Sequence, residues 1–180
     1  RDVDCVISTR ELAEMIREAG IQFDSLDEAS YDDPLGESTG AAVIFGASGG
    51  VLEAALRTAA DWLSGKDVRQ IDFVEVRGLP GIKEATVNGG GVELKAISCS
   101  GLGNARLLLE RIRSGQTQCH VIEIMACPGG CINGGGQPYH HGDTTILEKR
   151  MNAIYQADRA LPIRKSHQNP SIMRLYKEYL

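Results

Sequence analysis

The sequence predicts an α/β fold, with a largely parallel sheet flanked by helices and one short antiparallel hairpin. Short apolar, β-prone runs alternate with stretches whose apolar residues recur at helical spacing, which is the pattern of parallel strands joined by helices. Asn88-Gly89-Gly90-Gly91 separates two β-prone runs and predicts the hairpin. The chain has 180 residues, 42% of them hydrophobic, which is enough for one core. Residues 1–180 are therefore expected to form a single domain or lobe.

The N-terminal forty residues predict one strand-to-helix unit followed by a loop. Val3 to Ser8 is a short β-prone run. Ser8-Thr9-Arg10-Glu11 has the form of a capping box, which begins a helix, and that helix is expected to end near Gly20. Residues 21–40 have little periodicity and predict a long irregular connection.

The next segment predicts a buried strand, a turn and a helix. Ala41 to Phe45 is short and apolar, as in a buried strand or the lining of a cavity. After Gly49-Gly50, apolar residues recur at helical spacing as far as Gly65, where the helix is expected to end. The glycines between Phe45 and Gly50 lack the spacing of a dinucleotide-binding turn. The residues alone therefore indicate a tight turn before a helix.

The middle of the chain supplies the rest of the predicted sheet. Ile71 to Val76 has the composition of a strand. Glu84 to Val87 and Val92 to Ile97 are the two arms of the predicted hairpin. Apolar residues on one face predict a helix from Gly101 to Arg113, and the apolar run from Val121 to Met125 predicts the last strand.

Beyond residue 138 the sequence predicts two helices joined by a basic segment. Apolar positions between Thr144 and Asp158 recur at helical spacing, and the tail from Asn169 to Leu180 predicts a shorter helix. Arg164-Lys165-Ser166-His167 is most simply a solvated surface, and docking to another lobe or subunit is the alternative. His140 and His141 are adjacent, which suits surface or supporting roles better than joint binding of one zinc ion.

Composition argues against several classes of function. The net charge of -5 disfavours nucleic acid as a partner, because no basic stripe is available to neutralise phosphates. No apolar run is long enough to span a bilayer and no signal peptide is recognisable, so no membrane span and a cytoplasmic location are expected. The odd cysteine count favours reduced thiols over a disulfide framework. The five cysteines are Cys5, Cys99, Cys119, Cys127 and Cys131.

Cys127 and Cys131 lie in the most distinctive segment of the chain. Between Cys127 and Pro138 they are accompanied by five glycines and two prolines. Thiolates bind soft metals, and glycine lets the backbone approach an inorganic group closely, so this segment predicts a metal site. The Cys-x3-Cys spacing differs from that of zinc knuckles, and two thiols fill half of a tetrahedral site. A pair of reduced, buried cysteines beside a glycine-rich turn is the alternative.

Glu123 to Pro138 resembles, residue by residue, the third signature of the H-cluster domain of iron-only (FeFe) hydrogenases, E-x-M-A-C-x-x-G-C-x-x-G-G-G-Q-P. The resemblance extends over essentially the whole chain. Other runs similar to this family are Asp4 to Leu12, Pro34 to Ala41, Ile44 to Gly46, Gly49 to Arg57, Gly101 to Ala105 and Arg164 to Pro170. Two further cysteine signatures of the family, T-S-C-C-P and M-P-C-x-x-K, each supply one ligand of the four-iron cluster, and neither is present. The chain therefore resembles one lobe, the C-terminal part of the catalytic domain, or the corresponding piece of a split domain.

This resemblance implies reversible hydrogen oxidation, in which molecular hydrogen is exchanged for two protons and two electrons. The implied cofactors are a 4Fe-4S cluster and a di-iron subcluster with carbon monoxide, cyanide and a bridging dithiolate as ligands. Cys127 and Cys131 are expected to be two of the four cluster ligands, and Cys131 also the bridge to the di-iron site. The Met125 thioether is expected to face the di-iron side, and Glu123 to be a structural anchor. Further expected cofactor-binding residues are Phe45, Gly46, Gly134, Gly135, Gln137 and Pro138.

The implied partners are an upstream lobe with the other two cluster cysteines and a redox carrier, such as ferredoxin or an NAD(P)-linked subunit, in an anaerobic metabolism. One alternative is a non-catalytic relative of the kind used in cytosolic iron-sulfur assembly. A second is a 2Fe-2S electron-transfer module, for which Cys99 and Cys119 are too far apart in sequence to supply the second pair. The third is a structural lobe without metal. This fragment alone is expected to be inactive, because half of the family's cluster ligands are absent.

Overall fold

The computed structural model describes residues 2–30, 32 and 36–180, and this part confirms the predicted α/β class. The strands are β1 Ile82–Gly89, β2 Val92–Ser100 and β3 Val121–Met125, and the helices are α1 Thr9–Glu18, α2 Gly40–Val43, α3 Gly50–Ser64, α4 Leu102–Arg113, α5 Thr144–Ala160 and α6 Pro170–Glu178. The strands form one small mixed sheet in the order β1-β2-β3, with β1 and β2 antiparallel and β2 and β3 parallel. Pro34 and Leu35, at the start of one of the family-like runs, lie outside the described residues.

The five predicted helices and the hairpin are confirmed. Gly90 and Gly91 join β1 to β2, both with positive φ (57° and 80°), as a tight hairpin turn requires. α1 begins with the predicted capping box: the Glu11 carboxylate accepts from the Ser8 amide at 2.7 Å, and the Ser8 hydroxyl accepts from the Glu11 amide at 3.4 Å. α3 ends at Gly65, and β3 has the predicted bounds. No helix in the described part combines the length and apolar character needed to cross a membrane.

The strand predicted over Ala41 to Phe45 is wrong. This segment forms α2 and then a 3-10 turn, Ile44–Gly46. Thr39 caps the helix, since its hydroxyl accepts from the Ala42 amide at 3.2 Å. An apolar run of this length marks burial, and burial alone does not distinguish a strand from a short helix.

Two other predicted strands are also wrong. Val3 to Ser8 is non-helical but pairs with no strand among the described residues. Ile71 to Val76 is irregular and ends in the 3-10 turn Val74–Val76. Phe73 and Val76 pack into the core next to α3 rather than joining a sheet, whereas Val74 is exposed. The described part of the irregular connection at 21–40 contains one short 3-10 turn before α2, Phe23–Ser25.

Helices cover both faces of the sheet. On one face, Leu52 and Leu56 of α3 pack in a cluster with Val87 of β1. On the other face, Ala105 and Leu108 of α4 pack with two residues of β2. A third buried cluster joins the turn after α2, the loop after β3 and α5, and it comprises Ile44, Ala47, Ile132, Met151 and Tyr155. The loop after β3 is therefore part of the core.

A buried network of charges connects α3 with α5. Arg57, Glu53 and Asp158 are all fully buried. The Arg57 guanidinium donates to both carboxylate oxygens of Asp158 and to Oε1 of Glu53, each at 2.8 Å. Arg77 Nε donates to Glu53 at 2.8 Å, and Arg164 Nη2 donates to Asp158 at 2.6 Å. Charged hydrogen bonds on every member offset the cost of removing these groups from water.

The basic segment Arg164-Lys165-Ser166-His167 is not the solvated surface that the sequence predicts. Lys165 is 3% exposed, and its ammonium group donates to both carboxylate oxygens of Asp61 at 2.8 Å. Nε2 of His167 lies 3.0 Å from the same carboxylate. Asp61 is 104 positions away from Lys165 in the chain, so local sequence gives no sign of this pair.

Replacing Arg57 with methionine is expected to lower the free energy of unfolding by about 3–5 kcal/mol, because Glu53 and Asp158 lose the cation they share. Arg106→Met is the matched control. Arg106 also pairs with an acid one turn away, Glu110 at 3.1 Å, but this pair is exposed and contributes less than about 1 kcal/mol. Urea unfolding followed by circular dichroism measures both variants. Similar losses of unfolding free energy in Arg57→Met and Arg106→Met would contradict the stabilising role of the buried network.

Acid pH is expected to weaken the same network. Burial by itself raises the pKa of Asp158, but hydrogen bonds from Arg57 and Arg164 outweigh burial and lower the pKa to about 2 from 3.8. A carboxylate with a lowered native pKa stabilises the fold above its ordinary pKa, and this contribution, about 2 kcal/mol, is lost as pH falls from about 4 to about 2. Urea unfolding at a series of pH values should therefore give Asp158→Asn a lower stability at about pH 5 and a shallower loss in acid. If the stability of the wild type and that of Asp158→Asn fell equally steeply with decreasing pH, the loss of stability in acid would not come from Asp158.

Candidate metal centre

Cys127 and Cys131 lie on the loop that follows β3. The strands β2 and β3 are parallel, and their last register pair is Ser100 with Met125. The Gly101 amide donates to the Met125 carbonyl at 2.8 Å, so the two chains leave the sheet side by side. The cysteines therefore follow the carboxyl end of a parallel strand pair, where open α/β sheets place their functional loops.

The main chain of this loop is held by its own hydrogen bonds. The Gly130 amide donates to the Cys127 carbonyl at 3.0 Å, and Gly129 has φ 79°, which the third residue of such a turn requires. A 3-10 turn over Cys131–Asn133 follows, and the Gly134 amide donates to the Cys131 carbonyl at 2.9 Å. Each cysteine is thus the first residue of a hydrogen-bonded turn.

Both cysteines are free thiols. Cys127 is half-buried and Cys131 is exposed. Met125 is the last residue of β3, lies two positions before Cys127 in the sequence and is half-buried. Within the described residues, no group of three or more His, Cys, Asp or Glu side chains is placed to hold a metal ion. The loop therefore offers two soft ligands that need ligands from elsewhere to complete a four-coordinate site.

The turn between α2 and α3 supports the cysteine loop from behind. The Ser48 amide donates to the Gly129 carbonyl at 3.0 Å. Gly130 has φ 93°, and a Cβ atom there would lie 2.5 Å from the Ser48 nitrogen, 2.8 Å from the Ala47 carbonyl carbon and 3.0 Å from the Gly46 oxygen. Only glycine fits this position. The segment that the residues alone identify as a tight turn therefore packs directly against the loop.

A row of polar side chains crosses the sheet next to this turn. Lys83, Ser98 and Glu123 are register neighbours on the three strands. The Glu123 carboxylate accepts from the amides of Gly49 and Leu52 at 2.6 and 2.7 Å and from the Ser98 hydroxyl at 3.1 Å. A carboxylate here satisfies free amides at the start of α3 and interacts favourably with the positive end of that helix. These contacts support the expectation that Glu123 is a structural anchor.

Lys83 is the neighbour of the site that sequence reasoning missed. It is 6% exposed, and its ammonium group donates to the carbonyls of Ser48 and Gly78, both at 3.0 Å, and to the Ser48 hydroxyl at 3.2 Å. Burial lowers the pKa of Lys83 to about 8, and the negative charge of Glu123 opposes this shift. The period of two along β1 is the available signal, because it places Lys83 on the same face as the buried Ala85.

Two arginines from outside the loop hold its later part. The Arg10 guanidinium of α1 donates to the Gly135 carbonyl at 2.6 Å. The Arg150 guanidinium of α5 donates to the carbonyls of Ile132 and Pro138 at 2.8 and 2.7 Å. Carbonyls that the loop leaves unpaired thus find charged donors on two helices.

The three consecutive glycines of the loop have different surroundings. A Cβ atom at Gly136 would lie 2.6 Å from Cβ of Ser8, and one at Gly134 would lie 3.1 Å from the Cys131 oxygen. A Cβ atom at Gly135 would meet no atom within 4 Å among the described residues. Close packing thus explains why glycine occupies positions 134 and 136. Gly135 instead faces open space.

The other predicted site residues lie at the edges of this arrangement. Phe45 is 45% exposed and precedes Gly46, which touches the loop at Gly130. Gln137 closes the far end, with its amide donating to the Gly134 carbonyl at 3.0 Å. A surface groove of about 840 Å³ runs between α1 and the glycine-rich end, and its lining includes Pro138 but neither cysteine. The structure thus places Gly46 against the cysteine loop, and Gly135 and Pro138 from the later part of that loop line the groove.

The chain is similar to known proteins over essentially its whole length. The family model for the iron only hydrogenase large subunit, C-terminal domain, matches residues 1–135, and that for the iron hydrogenase small subunit matches residues 144–180. The NADP-reducing hydrogenase subunit HndD of Solidesulfovibrio fructosivorans is 53% identical over 99% of this chain and 30% of its own length. The cytosolic iron-sulfur assembly component 3 of Mus musculus is 29% identical over 100% of this chain and 38% of its own length.

Solved structures agree with these relatives. A variant of the [FeFe]-hydrogenase HydA1 from Chlamydomonas reinhardtii is 36% identical, with a TM-score of 0.77 over 99% of this chain and 51% of that chain. The present chain thus spans about a third of the curated relatives it matches and about half of the solved protein.

Replacing Gly130 with alanine is expected to lower the free energy of unfolding by more than about 2 kcal/mol, because the new Cβ meets the Ser48 main chain and φ is positive. Gly135→Ala, with an open face, is expected to stay within about 0.5 kcal/mol of the wild type. Urea unfolding measures both. Hydrogen exchange adds a local readout, since the Ser48 amide should exchange faster only in Gly130→Ala. Equal exchange rates of the Ser48 amide in the two variants would contradict the conclusion that the Ser48 main chain supports the cysteine loop.

Proposed function

The chain belongs to the iron-only hydrogenase family, and on that premise we propose that it is the C-terminal part of a catalytic domain that exchanges molecular hydrogen for two protons and two electrons. The observation that supports this most strongly is the loop after β3, where Cys127 and Cys131 begin two successive turns backed by main chain. High identity to a relative named as an NADP-reducing hydrogenase subunit supports the same assignment.

The residues of the loop fit the iron-sulfur centre that the family implies. Their donor set consists of soft thiolates, the type of ligand that iron-sulfur clusters take. Cys127 and Cys131 would hold two of the four ligand positions of a 4Fe-4S cluster, and Cys131 would also be the link to the di-iron subcluster. When bound, the two groups supply the one-electron chemistry and the hydrogen activation that no side chain can perform.

The remaining residues of the loop shape the surroundings of that centre. The Met125 thioether is soft and uncharged, so it would pack against the bound cofactor without competing for a proton. Gly134 and Gly135 keep the backbone free of side chains where close approach is needed, and Gly135 has an open face for it. Phe45, Gly46, Gln137 and Pro138 would border the bound cofactor and limit the access of water.

An upstream lobe would supply the other two cluster ligands. A complete enzyme also needs a redox carrier to take up or deliver electrons, and the name of the HndD relative favours an NADP-linked subunit over ferredoxin. The isolated 180-residue chain is expected to be inactive, because it holds half of the cluster ligands.

Iron-sulfur assembly without hydrogen turnover is the second candidate function. It is favoured by relatives such as the mouse assembly component, which matches the entire chain. Met125 together with the complete Gly134 to Pro138 segment favours the catalytic branch. Hydrogen uptake by the complete protein with an artificial electron acceptor separates the two functions, since an assembly factor would hold iron and leave hydrogen unchanged.

Infrared spectroscopy of the complete protein, isolated anaerobically, tests the catalytic proposal. Bands of metal-bound carbon monoxide and cyanide are expected, because protein groups do not absorb in that region. Cys131→Ser should lose both the bands and hydrogen turnover, whereas Cys5→Ser, which changes another exposed free thiol, should keep them. Turnover that persists in Cys131→Ser would refute the ligand assignment. A four-iron cluster without these bands in the wild type would favour the assembly function.

A further inference from the structure

Lys83 is a buried cation without a nearby carboxylate partner. It is 6% exposed and forms no ion pair within 4 Å among the described residues. Its three hydrogen-bond acceptors are the neutral oxygens of Ser48 and Gly78, at 3.0 to 3.2 Å. Holding an ammonium group away from water with neutral acceptors is costly, as the lowering of its pKa by burial also indicates. A leucine or methionine on this inward face of β1 would avoid the cost, so the charge needs an explanation.

The ammonium group lies directly behind the cysteine loop. Ser48 connects the two: its carbonyl and hydroxyl accept from Lys83, and its amide donates to the Gly129 carbonyl at 3.0 Å. Gly130 packs so closely on Ser48 that no side chain fits between them. One residue therefore separates the cation from the segment between Cys127 and Cys131.

Glu123 does not neutralise this cation by direct contact. Its carboxylate binds the amides of Gly49 and Leu52, so its negative charge lies against the positive end of α3. The link from Glu123 to Lys83 passes through two hydroxyls, Ser98 to Glu123 at 3.1 Å and Ser48 to Ser98 at 3.3 Å. Glu123 thus offsets the field of Lys83 only from a distance, and the rest of this field acts on whatever binds in front of the loop.

We propose that Lys83 raises the reduction potential of the iron-sulfur cluster held by Cys127 and Cys131. Reduction adds one electron from a carrier to the cluster and makes it more negative, and a fixed positive charge in a poorly hydrated region stabilises that state. The cluster charge in turn supplies the opposite charge that Lys83 lacks. This inference rests on the proposed function, since it requires the cluster.

Infrared spectroelectrochemistry of the complete holoenzyme is the test, because the carbon monoxide and cyanide bands of the di-iron subcluster also shift when the linked four-iron cluster takes up an electron. Lys83→Met and Lys83→Gln, which are neutral, should shift the midpoint potential to more negative values. Lys83→Arg keeps the charge and should remain close to the wild type. Lys95→Met is the matched control, because Lys95 is an exposed lysine on the adjacent strand β2, and no shift is expected.

The possible outcomes separate this inference from the proposed function. Bands with an unchanged midpoint in both neutral variants would overturn the role of Lys83 and leave the hydrogenase assignment intact. Bands absent from Lys83→Met but present in Lys83→Gln, which keeps a hydrogen-bond donor without the charge, with an unshifted midpoint would also overturn it, in favour of a structural role. Bands absent from the wild type would refute the proposed function, and the inference with it.

Discussion

The close contact between the main chain of Ser48 and that of Gly129 and Gly130 is the constraint on which the site depends. It joins two segments that are far apart in sequence, and it leaves no room for a side chain at Gly130. The elements around it keep this contact in place. Glu123 fixes the helix that starts just after Ser48, and Arg150 fixes the loop beyond Cys131. This contact therefore fixes the geometry of the loop that carries the two cysteines.

Buried charges have two different roles in this fold. Arg57 belongs to a network in which every charge has an opposite charge at hydrogen-bond distance, so its field is largely cancelled within the protein. Lys83 has neutral acceptors, so its field extends beyond its own contacts. The first arrangement holds helices together and the second influences chemistry. Burial alone does not distinguish the two roles, but the identity of the partners does.

Local sequence predicted those parts of the fold that depend on local interactions. The capping box at Ser8 and the strand before Cys127 are set by residues within a few positions, and both are confirmed. The short apolar run at Ala41 predicts a strand wrongly, because its apolar residues indicate burial but not the type of element. The Thr39 cap alone is a weak sequence signal for a helix of four residues. The burial of Lys165 was missed because its partner Asp61 is distant in the chain. The cysteine loop was recognisable from its residues, whereas the support from Ser48 and Lys83 depends on tertiary packing.

The ion network between α3 and α5 also constrains how this sequence can change over evolutionary time. Loss of Arg57 alone removes a cation that two buried carboxylates share, and loss of Asp158 alone removes a carboxylate that two arginines share. Single changes at these positions are therefore strongly disfavoured, and viable replacements require coordinated changes on both sides. The two sides fall in regions matched by different family models, those of a large and a small subunit. Amino-acid substitutions in residues 1–135 are thus coupled to substitutions in residues 144–180, as they are between two proteins that coevolve as partners.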